Sequence, residues 1–337
     1  MECHILRQLV ICCLLIVMTG CQSDDNTADL FKTYQQRLAN VTDSDTVALA
    51  DSYKVPLPRK RELIQPIEDV RFGLLDAYDL RKCGLFELIA ERNSVLGKIQ
   101  DPFRLLDYEI TFLRKANACM PLVEDVDIKK ELQEAIDVKT RQLPTRYWNA
   151  IGGSDAWNKQ LVLPATMLNV NEATPRTAVV SAISAFASVQ SPNGLEVSVT
   201  PWQETIEKQK MLGSLFLSID ESRRWLTAIN KQLEENDHRI LCGENINQTK
   251  AKYLRNVFDE FYIKKIQPYL SSIDTMYLDV SPSLEKIALY ADSPRQFDEY
   301  KTAYFTGLHY QLYKKSVKDH VFYWKSLFER CNIRLIR

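Results

Sequence analysis

Residues 200–233 read TPWQETIEKQKMLGSLFLSIDESRRWLTAINKQL, and this stretch decides the fold class. Its apolar residues recur at helical and heptad spacing, at Leu212, Leu215, Ile219, Leu226, Ile229 and Leu233. This spacing predicts one helix of about 30 residues with a single apolar stripe that packs against partner helices. Such a stripe also occurs in coiled-coil seams, but inside a compact chain it favours the core of a bundle. Thr200 and Gln203 have the spacing of a capping box.

Helical periodicity extends along the chain on both sides of this stretch. It covers 29–41, 85–99, 102–118, 127–142, 177–189, 250–273 and 316–331. Proline follows a capping residue at five predicted helix starts, where its missing N–H costs no hydrogen bond. These pairs are Asp101-Pro102, Thr174-Pro175, Thr200-Pro201, Ser281-Pro282 and Ser293-Pro294. Pro144 and the glycines at 152 and 153 are predicted to break the helix around Arg146.

Strand signals are sparse. Leu161–Leu163 and Leu195–Val199 predict at most a minor β-hairpin, or extended segments. The sequence therefore predicts an all-α fold, made of one or two helical bundles with long amphipathic helices. The stretch 152–201 is poor in charge, and we predict that two lobes meet there.

The beginning of the chain predicts a lipid anchor. Residues 9–18 form an unbroken apolar run, which as a helix covers about 15 Å, half of a roughly 30 Å hydrocarbon core. This length suits the apolar segment of a secretory signal. Met18-Thr19-Gly20-Cys21 resembles the lipobox of bacterial lipoproteins, with Met18 where leucine is usual. We expect a signal peptide at 1–20, lipidation of Cys21, a polar tether at 21–27 and a mainly helical periplasmic domain at 28–337.

The alternative is an ordinary cleaved signal or an uncleaved anchor, with Cys21 incidental. Two or three acyl chains, at about 0.8 kcal/mol per buried CH₂, would hold the protein firmly on a lipid bilayer. By resemblance to enterobacterial sorting, aspartate after the lipidated cysteine favours the inner membrane. Gln22 occupies that position, so we predict the outer membrane, with the domain facing the periplasm.

The composition excludes several function classes. An apolar content of 45% and a charged content of 26% are typical of a globular protein. The net charge is −1, so the basic excess needed to bind nucleic acid is missing. No later run approaches 18 apolar residues, and no second membrane span is predicted. Only 10 glycines are present, which argues against glycine-lined phosphate loops.

Beyond the signal and the lipid site, the chain has four cysteines, namely Cys83, Cys119, Cys242 and Cys331. An even number in an exported protein predicts two disulfides, and the alternative is four buried free thiols. The helices predicted at 85–99 and 102–118 are joined by two residues, so they form an antiparallel hairpin that places 83 beside 119. Cys83–Cys119 is therefore predicted, and Cys242–Cys331 follows by elimination.

The chain shows no catalytic, metal or cofactor motif. It has no G-x-S-x-G elbow, no phosphate loop and no G-x-G-x-x-G turn, and its cysteines are predicted to be paired. His309 and His320 could share a helix face, but isolated core or surface histidines are favoured over a metal site. Several tyrosines could line a ligand cleft or contact glycan, although their helical spacing favours core positions. They are Tyr300, Tyr304, Tyr310, Tyr313 and Tyr323.

Arg92 is the most informative polar residue, because it falls within the apolar stripe of the helix predicted at 85–99. A guanidinium on a buried face needs a partner. The hairpin register places Glu109 next to it, and we predict a buried ion pair between the two side chains. The alternative is a ligand-binding arginine in an aromatic-lined cleft that also contains Glu91 or Arg146.

Residues 89–98, IAERNSVLGK, resemble the DUF3080 family of proteobacterial proteins, some of which are labelled lipoproteins. Leu106-Asp107-Tyr108-Glu109 and Cys119 extend the resemblance, and the lipobox-like start and the length agree with it. The resemblance covers nearly the whole chain. It implies an envelope location, and it implies no catalytic residues because the family has no assigned activity.

Two functions follow as hypotheses. The first is a non-enzymatic envelope lipoprotein, anchored through acylated Cys21, whose helical domain binds an envelope protein or component. The second is a small-molecule or glycan binder, or an enzyme, with an aromatic-lined cleft. A deep pocket with convergent polar groups would favour the second, and a flat exposed apolar patch the first.

Overall fold

The structure is a computed structural model that describes residues 27–68, 78, 80–98, 100–169, 176–189, 196–243 and 247–333. The predicted signal peptide, Cys21 and the tether up to residue 26 lie outside the described residues. The predictions made for them remain predictions, as does the two-lobe boundary near 152–201.

Helices account for most of the described chain. The α-helices are α1 (Thr27–Thr42), α2 (Lys60–Leu63), α3 (Leu85–Asn93), α4 (Val95–Lys98), α5 (Pro102–Cys119), α6 (Val126–Gly152), α7 (Asp155–Leu161), α8 (Arg176–Ser188), α9 (Gln203–Lys208), α10 (Leu212–Asn236), α11 (Thr249–Val257), α12 (Gln267–Tyr290), α13 (Asp298–Tyr300) and α14 (Leu308–Arg330). Two π-helical segments, Phe258–Ile266 and Lys301–Phe305, follow α11 and α13. Short 3₁₀ turns cover Leu80–Cys83, Met120–Leu122, Thr200–Trp202, Asp237–Arg239 and Arg295–Phe297.

The prediction of an all-α fold is confirmed. No strand occurs among the described residues. Leu161 ends α7, and residues 162–163 and 197–199 have no regular structure, so the segments proposed for a minor hairpin do not pair. Leu195 lies outside the described residues.

The apolar stripe of residues 212–233 is buried as predicted. Its six apolar side chains are each 2% exposed or less, and burial of each stabilises the fold by about 1.5–3 kcal/mol. The helix is nevertheless shorter than predicted. α9 and α10 are separated at 209–211, where Gln160 Oε1 accepts the N–H groups of Met211 and Leu212 at 2.7 and 2.8 Å. A side chain from α7 thus caps α10.

The capping box predicted at Thr200 is wrong. Thr200 Oγ1 makes no hydrogen bond, and the Thr200 N–H donates to Asp107 of α5 at 3.0 Å. Asp107 also accepts from the Val199 N–H at 2.7 Å. A carboxylate from another helix has therefore replaced the local cap.

The helix starts and breaks predicted at proline residues are confirmed at some positions and not at others. Asp101 caps α5 as expected, since its carboxylate accepts the N–H groups of Phe103 and Arg104. Pro144 and Pro282 instead lie inside α6 and α12, so the break predicted at Pro144 and the helix start predicted at Pro282 are wrong. Each proline removes one helical hydrogen bond. Buried neighbours such as Leu143 and Tyr147 offset that loss through packing. Thr174-Pro175 lies outside the described residues.

α10 and α14 form the central pair of the bundle. They run parallel, because Asp220 faces His309 and, further along both helices, Asn230 faces His320. α1 and the first π-segment pack against the same pair. Aromatic side chains fill the space between these helices, and Trp324 lies 4.7 Å from Phe258, centroid to centroid. Within the described chain, no helix is both long and apolar enough to cross a bilayer.

The hairpin of α3 and α5 has the predicted antiparallel arrangement, but its first helix is broken. α3 ends at Asn93, and Ser94 adopts an extended conformation before α4. The Ser94 hydroxyl donates to the Glu91 carbonyl at 2.7 Å and accepts the Gly97 N–H at 3.0 Å. A side chain at residue 97 would place its Cβ 2.2 Å from the Glu91 carbonyl oxygen, so only glycine fits this turn.

Both predicted disulfides are present in the structure. Cys83 is bonded to Cys119, with Cα atoms 5.4 Å apart, and Cys242 to Cys331, with Cα atoms 4.9 Å apart. Both distances lie within the range that a bridge requires. The first bridge closes the open end of the hairpin, where Lys115 also donates to the Gly84 carbonyl at 2.8 Å.

Candidate functional site

A buried group of three charged side chains lies between α5 and α6, and we call it the charge triad. It consists of Glu109 on α5 and of Lys139 and Arg146 on α6. The two cations are seven residues apart, so they occupy one face of α6 two turns from each other. Apolar residues at helical spacing bring this face to α5, because Leu132, Ile136 and Leu143 are buried along it.

The charges of the triad do not balance. Lys139 Nζ donates to Glu109 Oε2 at 2.7 Å, and Arg146 Nε lies 3.5 Å from Glu109 Oε1. The Glu109 and Lys139 side chains are 4% and 6% exposed, and that of Arg146 is 14% exposed. One carboxylate therefore faces two cations, which leaves one positive charge in surplus. Burying a charge without a counter-charge is costly.

Aromatic rings replace part of the missing counter-charge. Lys139 Nζ lies 5.3 Å from the centroid of the Tyr108 ring and 5.0 Å from that of Phe112. Arg92 Cζ lies 5.9 Å from the Tyr108 centroid, so that ring contacts two cations. Each such contact is worth about 0.5–1 kcal/mol at an exposed site and more when water is excluded.

A cavity of about 120 Å³ opens next to Arg146, and we call it the Gln100 cavity. Its polar lining comes from Gln100, Arg146 and Asn149, and its apolar lining includes Pro102 and Leu105. Arg146 Nε and Gln100 Oε1 are both buried without a hydrogen-bond partner. Buried polar atoms in folded proteins normally have partners. Two orphan atoms on one cavity therefore point to a missing ligand or water.

An open cleft of about 300 Å³ adjoins this cavity, and Gln100 lines both. We call it the Thr200 cleft. Thr200 Oγ1, a third buried atom without a hydrogen-bond partner, lies on its wall. Glu91 and Tyr108 also line it. The two spaces share Gln100 in their lining, and we refer to them together as the recess.

The predicted pair of Arg92 and Glu109 is not formed, and that prediction is wrong. Glu109 interacts with Lys139 and Arg146 instead. Arg92 donates from Nη1 to the Gly97 carbonyl at 2.8 Å and packs on Tyr108. The register itself is right to within one residue, because Tyr108 precedes Glu109. The break at Ser94 lets the arginine satisfy its charge on the turn of its own segment.

The alternative prediction was an aromatic-lined cleft with Arg92, Glu91 or Arg146 inside, and the structure places the three residues differently. Arg146 lines the Gln100 cavity and Glu91 the Thr200 cleft, whereas Arg92 lines neither. Lys139 was missed, although its position within the apolar stripe of α6 is the same signal that drew attention to Arg92. Gln100 was missed because nothing in a two-residue linker marks it.

A second set of buried polar groups joins α10 to α14. His309 Nδ1 donates to Asp220 Oδ1 at 2.7 Å, and the Tyr304 hydroxyl donates to Asp220 Oδ2 at 2.7 Å. The second π-segment carries Tyr304. Asp220 is 2% exposed. Its carboxylate thus has a donor on each oxygen.

His320 occupies the equivalent place further along the same helix pair, where it faces Asn230. The Trp324 indole donates to His320 Nε2 at 3.0 Å, and an indole N–H can only donate. The ring proton is therefore on Nδ1, which donates to Asn230 Oδ1 at 2.7 Å. Complete burial lowers the pKa of His320 to about 3, so this imidazole is neutral at physiological pH.

Neither histidine has two further His, Cys, Asp or Glu side chains around it, within the described chain, that could hold a metal ion. No group of three or more His, Cys, Asp or Glu side chains suitable for a metal ion occurs in the described ranges. The tyrosines near the end of the chain are mostly core residues, as their spacing favoured. Tyr300, Tyr304 and Tyr313 are each 2% exposed or less. These three tyrosines therefore do not line the ligand cleft that was the alternative for them.

A family model described as "Protein of unknown function (DUF3080)" matches residues 31–335. No curated protein and no solved structure matches the chain. Because the family match covers nearly the whole chain, the chain belongs to the DUF3080 family.

Proposed function

We propose that this member of the DUF3080 family is a lipid-anchored protein of the bacterial envelope that binds a small ligand in the recess at Gln100. One observation carries the binding part of the proposal. Three buried polar atoms without partners, on Gln100, Arg146 and Thr200, lie on two adjoining spaces that share Gln100. Ligand sites characteristically combine apolar walls with a few convergent polar groups.

The location rests on the sequence and on the disulfides. Met18-Thr19-Gly20-Cys21 follows an apolar run of signal length. Two disulfides fit a protein of an oxidising compartment such as the periplasm. Gln22 supports the outer membrane. In this proposal acylated Cys21 inserts in the lipid bilayer, and the helical domain faces the periplasm.

Native mass spectrometry of the full-length protein, released from membranes of its own cells in detergent, tests for a resident ligand. We expect a bound small molecule in the wild-type protein. Ala150 lines the Gln100 cavity and is fully buried, so Ala150→Leu should fill the space and remove the adduct. Ala135→Leu, on the same helix but away from the cavity, controls for overpacking. An adduct that survives Ala150→Leu would refute binding in the cavity.

Replacement of Cys21 tests the anchor. Cys21→Ala should release the protein from the membrane fraction, because the acyl chains supply the anchoring free energy. Lipid labelling should be lost at the same time. Cys12→Ala, within the predicted signal, is the matched control and should leave both unchanged. Retention of the Cys21→Ala variant in salt-washed membranes would show that Cys21 is not the anchor.

A second candidate function, docking of an envelope protein, is favoured by the turn at α4. Val95 and Leu96 are 79% and 76% exposed. A photo-crosslinking residue at position 96 should then capture one specific protein in cells. The same residue at exposed Leu289 should not capture it. Equal products at both positions would contradict docking at this turn.

A further inference from the structure

We infer that the ligand of the Gln100 cavity is a small organic monocarboxylate with an apolar body and a hydrogen-bond donor. This inference rests on the proposed ligand recess and names the chemical class that it takes. The surplus charge, the orphan atoms and the cavity walls each constrain that class.

The surplus charge requires an anion. The charge triad holds Lys139 and Arg146 against Glu109 alone, and Arg146 is the charged residue that lines the cavity. Asp107, which lines the neighbouring cleft, does not supply the balancing negative charge. Its carboxylate accepts hydrogen bonds from the Ser198 hydroxyl and from the N–H groups of Val199 and Thr200. A phosphate monoester carries about −1.5 to −2 at neutral pH, whereas one carboxylate carries −1 and matches the surplus.

The orphan atoms define what the ligand offers. The guanidinium of Arg146 is planar, and its Nε lies 3.5 Å from Glu109 Oε1 without forming a hydrogen bond. Arginine recognises a carboxylate through parallel N–H···O bonds, which a point charge cannot reproduce. Gln100 Oε1 is an acceptor without a donor. The ligand therefore presents a carboxylate to Arg146 and a hydroxyl or N–H to Gln100.

The walls limit the body of the ligand. Ile64, Pro102 and Leu105 supply apolar surface. The amide of Asn149 is occupied on both sides, since it accepts the Gln65 N–H at 2.9 Å and donates to the Gln65 carbonyl at 2.8 Å. A cavity of roughly 150 Å³ with apolar walls can hold benzene. The Gln100 cavity, at about 120 Å³, is smaller than that, so it suits a short branched chain, and a ligand with one ring would extend from it into the adjoining Thr200 cleft.

The test uses the full-length acylated protein in detergent micelles and three probes. These are 4-hydroxybenzoate, benzoate and the neutral 4-hydroxybenzamide, with dissociation constants from calorimetry and contacts from ligand-observed NMR. We expect 4-hydroxybenzoate to bind most tightly and benzoate more weakly. The neutral amide should bind roughly tenfold or more weakly than 4-hydroxybenzoate, because it gives the guanidinium no charge.

Variants locate the binding charge. Arg146→Gln should weaken 4-hydroxybenzoate binding roughly tenfold or more while leaving the amide unaffected. Arg141→Gln, an exposed arginine on the same helix, is the matched control and should change neither. Equal affinity for the acid and the amide, both abolished by Ala150→Leu, would overturn the carboxylate inference and leave the ligand recess standing. Equal losses in the two arginine variants would also overturn it. If no probe binds and no resident ligand is found, both proposals fail.

Discussion

The charge triad and the histidine contacts of α10 and α14 are both buried polar groups, but they differ in how completely they are satisfied. Asp220 has a donor on each carboxylate oxygen, and both nitrogens of His320 have partners. The triad instead has one carboxylate for two cations and an arginine N–H without an acceptor. Polar networks that are fully satisfied fix the relation of helices. A network left incomplete next to a cavity indicates a binding site.

The two regions also differ in how they are braced. Glu109 of the triad lies in the hairpin of α3 and α5, which the Cys83–Cys119 disulfide closes, whereas Lys139 and Arg146 lie on α6. The histidines lie between long helices packed with aromatic rings, and Tyr262 lies 4.5 Å from His320. Among the contacts of the described residues, Glu109 is the one carboxylate paired with the two cations of the triad, and an anionic ligand is the counter-charge that we propose.

The largest expected effect is that of Glu109→Ala. The substitution leaves Lys139 and Arg146 buried without any carboxylate, and loss of one partner of a buried ion pair costs about 3–5 kcal/mol. The free energy of unfolding, measured by urea denaturation, should fall by this amount. Glu134→Ala, at an exposed position on α6, should change it by less than about 0.5 kcal/mol. The double variant Glu109→Leu with Lys139→Met should cost much less than the two single losses together. Simple additivity would show that the pair is not coupled.

Asp220→Asn tests the region between α10 and α14, where the buried polar groups have their hydrogen-bond partners. An amide oxygen can accept only one of the two donors well, and its NH₂ group then faces the other. Loss of a hydrogen bond to a charged group costs about 1.5–3 kcal/mol, so we expect a decrease in that range. Asp319→Asn, on the outer face of α14 with its side chain 46% exposed, is the control. Unchanged stability in Asp220→Asn would mean that the contact does not hold the helices together.

Acidification should also lower the free energy of unfolding, through His320 between α10 and α14. Burial lowers the pKa of folded His320 to about 3, against 6.5 in an exposed chain. Below pH 6.5 the unfolded chain binds a proton that the folded protein excludes, so stability is lost as the pH falls from 6.5 towards 3. At pH 5 the loss amounts to about 2 kcal/mol. His320→Gln should be less stable at pH 7 but should lose about 2 kcal/mol less between pH 7 and pH 5.

Asn230→Asp sharpens the same measurement. A carboxylate beside His320 Nδ1 favours the charged imidazole, so the loss between pH 7 and pH 5 should shrink here too. Identical pH profiles for the wild-type protein and both variants would show that His320 does not control the acid response.

The sequence predicts the helices better than it predicts the site. Apolar periodicity and cysteine count suffice for α10 and for the Cys83–Cys119 bridge, because both depend on local spacing. The break expected at Pro144 and the helix start expected at Pro282 are absent, since packing on both sides of each proline outweighs one lost hydrogen bond. The capping box at Thr200 fails because Asp107, distant in sequence, takes its place.

The site itself depends on contacts that a single sequence does not display. The predicted register places Arg92 opposite Glu109, one residue away from Tyr108, which it does contact. Its guanidinium nevertheless donates to the Gly97 carbonyl and not to Glu109. That outcome follows from the break at Ser94, which no periodicity signals. Lys139 was visible in principle as a cation within an apolar stripe. The recess was not, because it arises where Gln100, α5, α6 and Thr200 meet.

The smallest expected effect concerns Arg92, and it separates the observed contacts from the predicted pair. Arg92→Met removes one hydrogen bond to Gly97 and the contact with Tyr108, which together contribute about 1 kcal/mol. A double-mutant cycle with Glu109→Ala should give a coupling below about 0.5 kcal/mol, because the two side chains share no contact. The cycle with Tyr108→Leu should give about 0.5–1 kcal/mol. Arg104→Met, exposed on α5, provides the background for loss of a surface arginine. A coupling to Glu109 that exceeds the one to Tyr108 would mean that Arg92 does pair with Glu109. The Glu109 carboxylate would then be shared among Arg92, Lys139 and Arg146. The charge balance on which the anionic ligand is argued would then include a third cation.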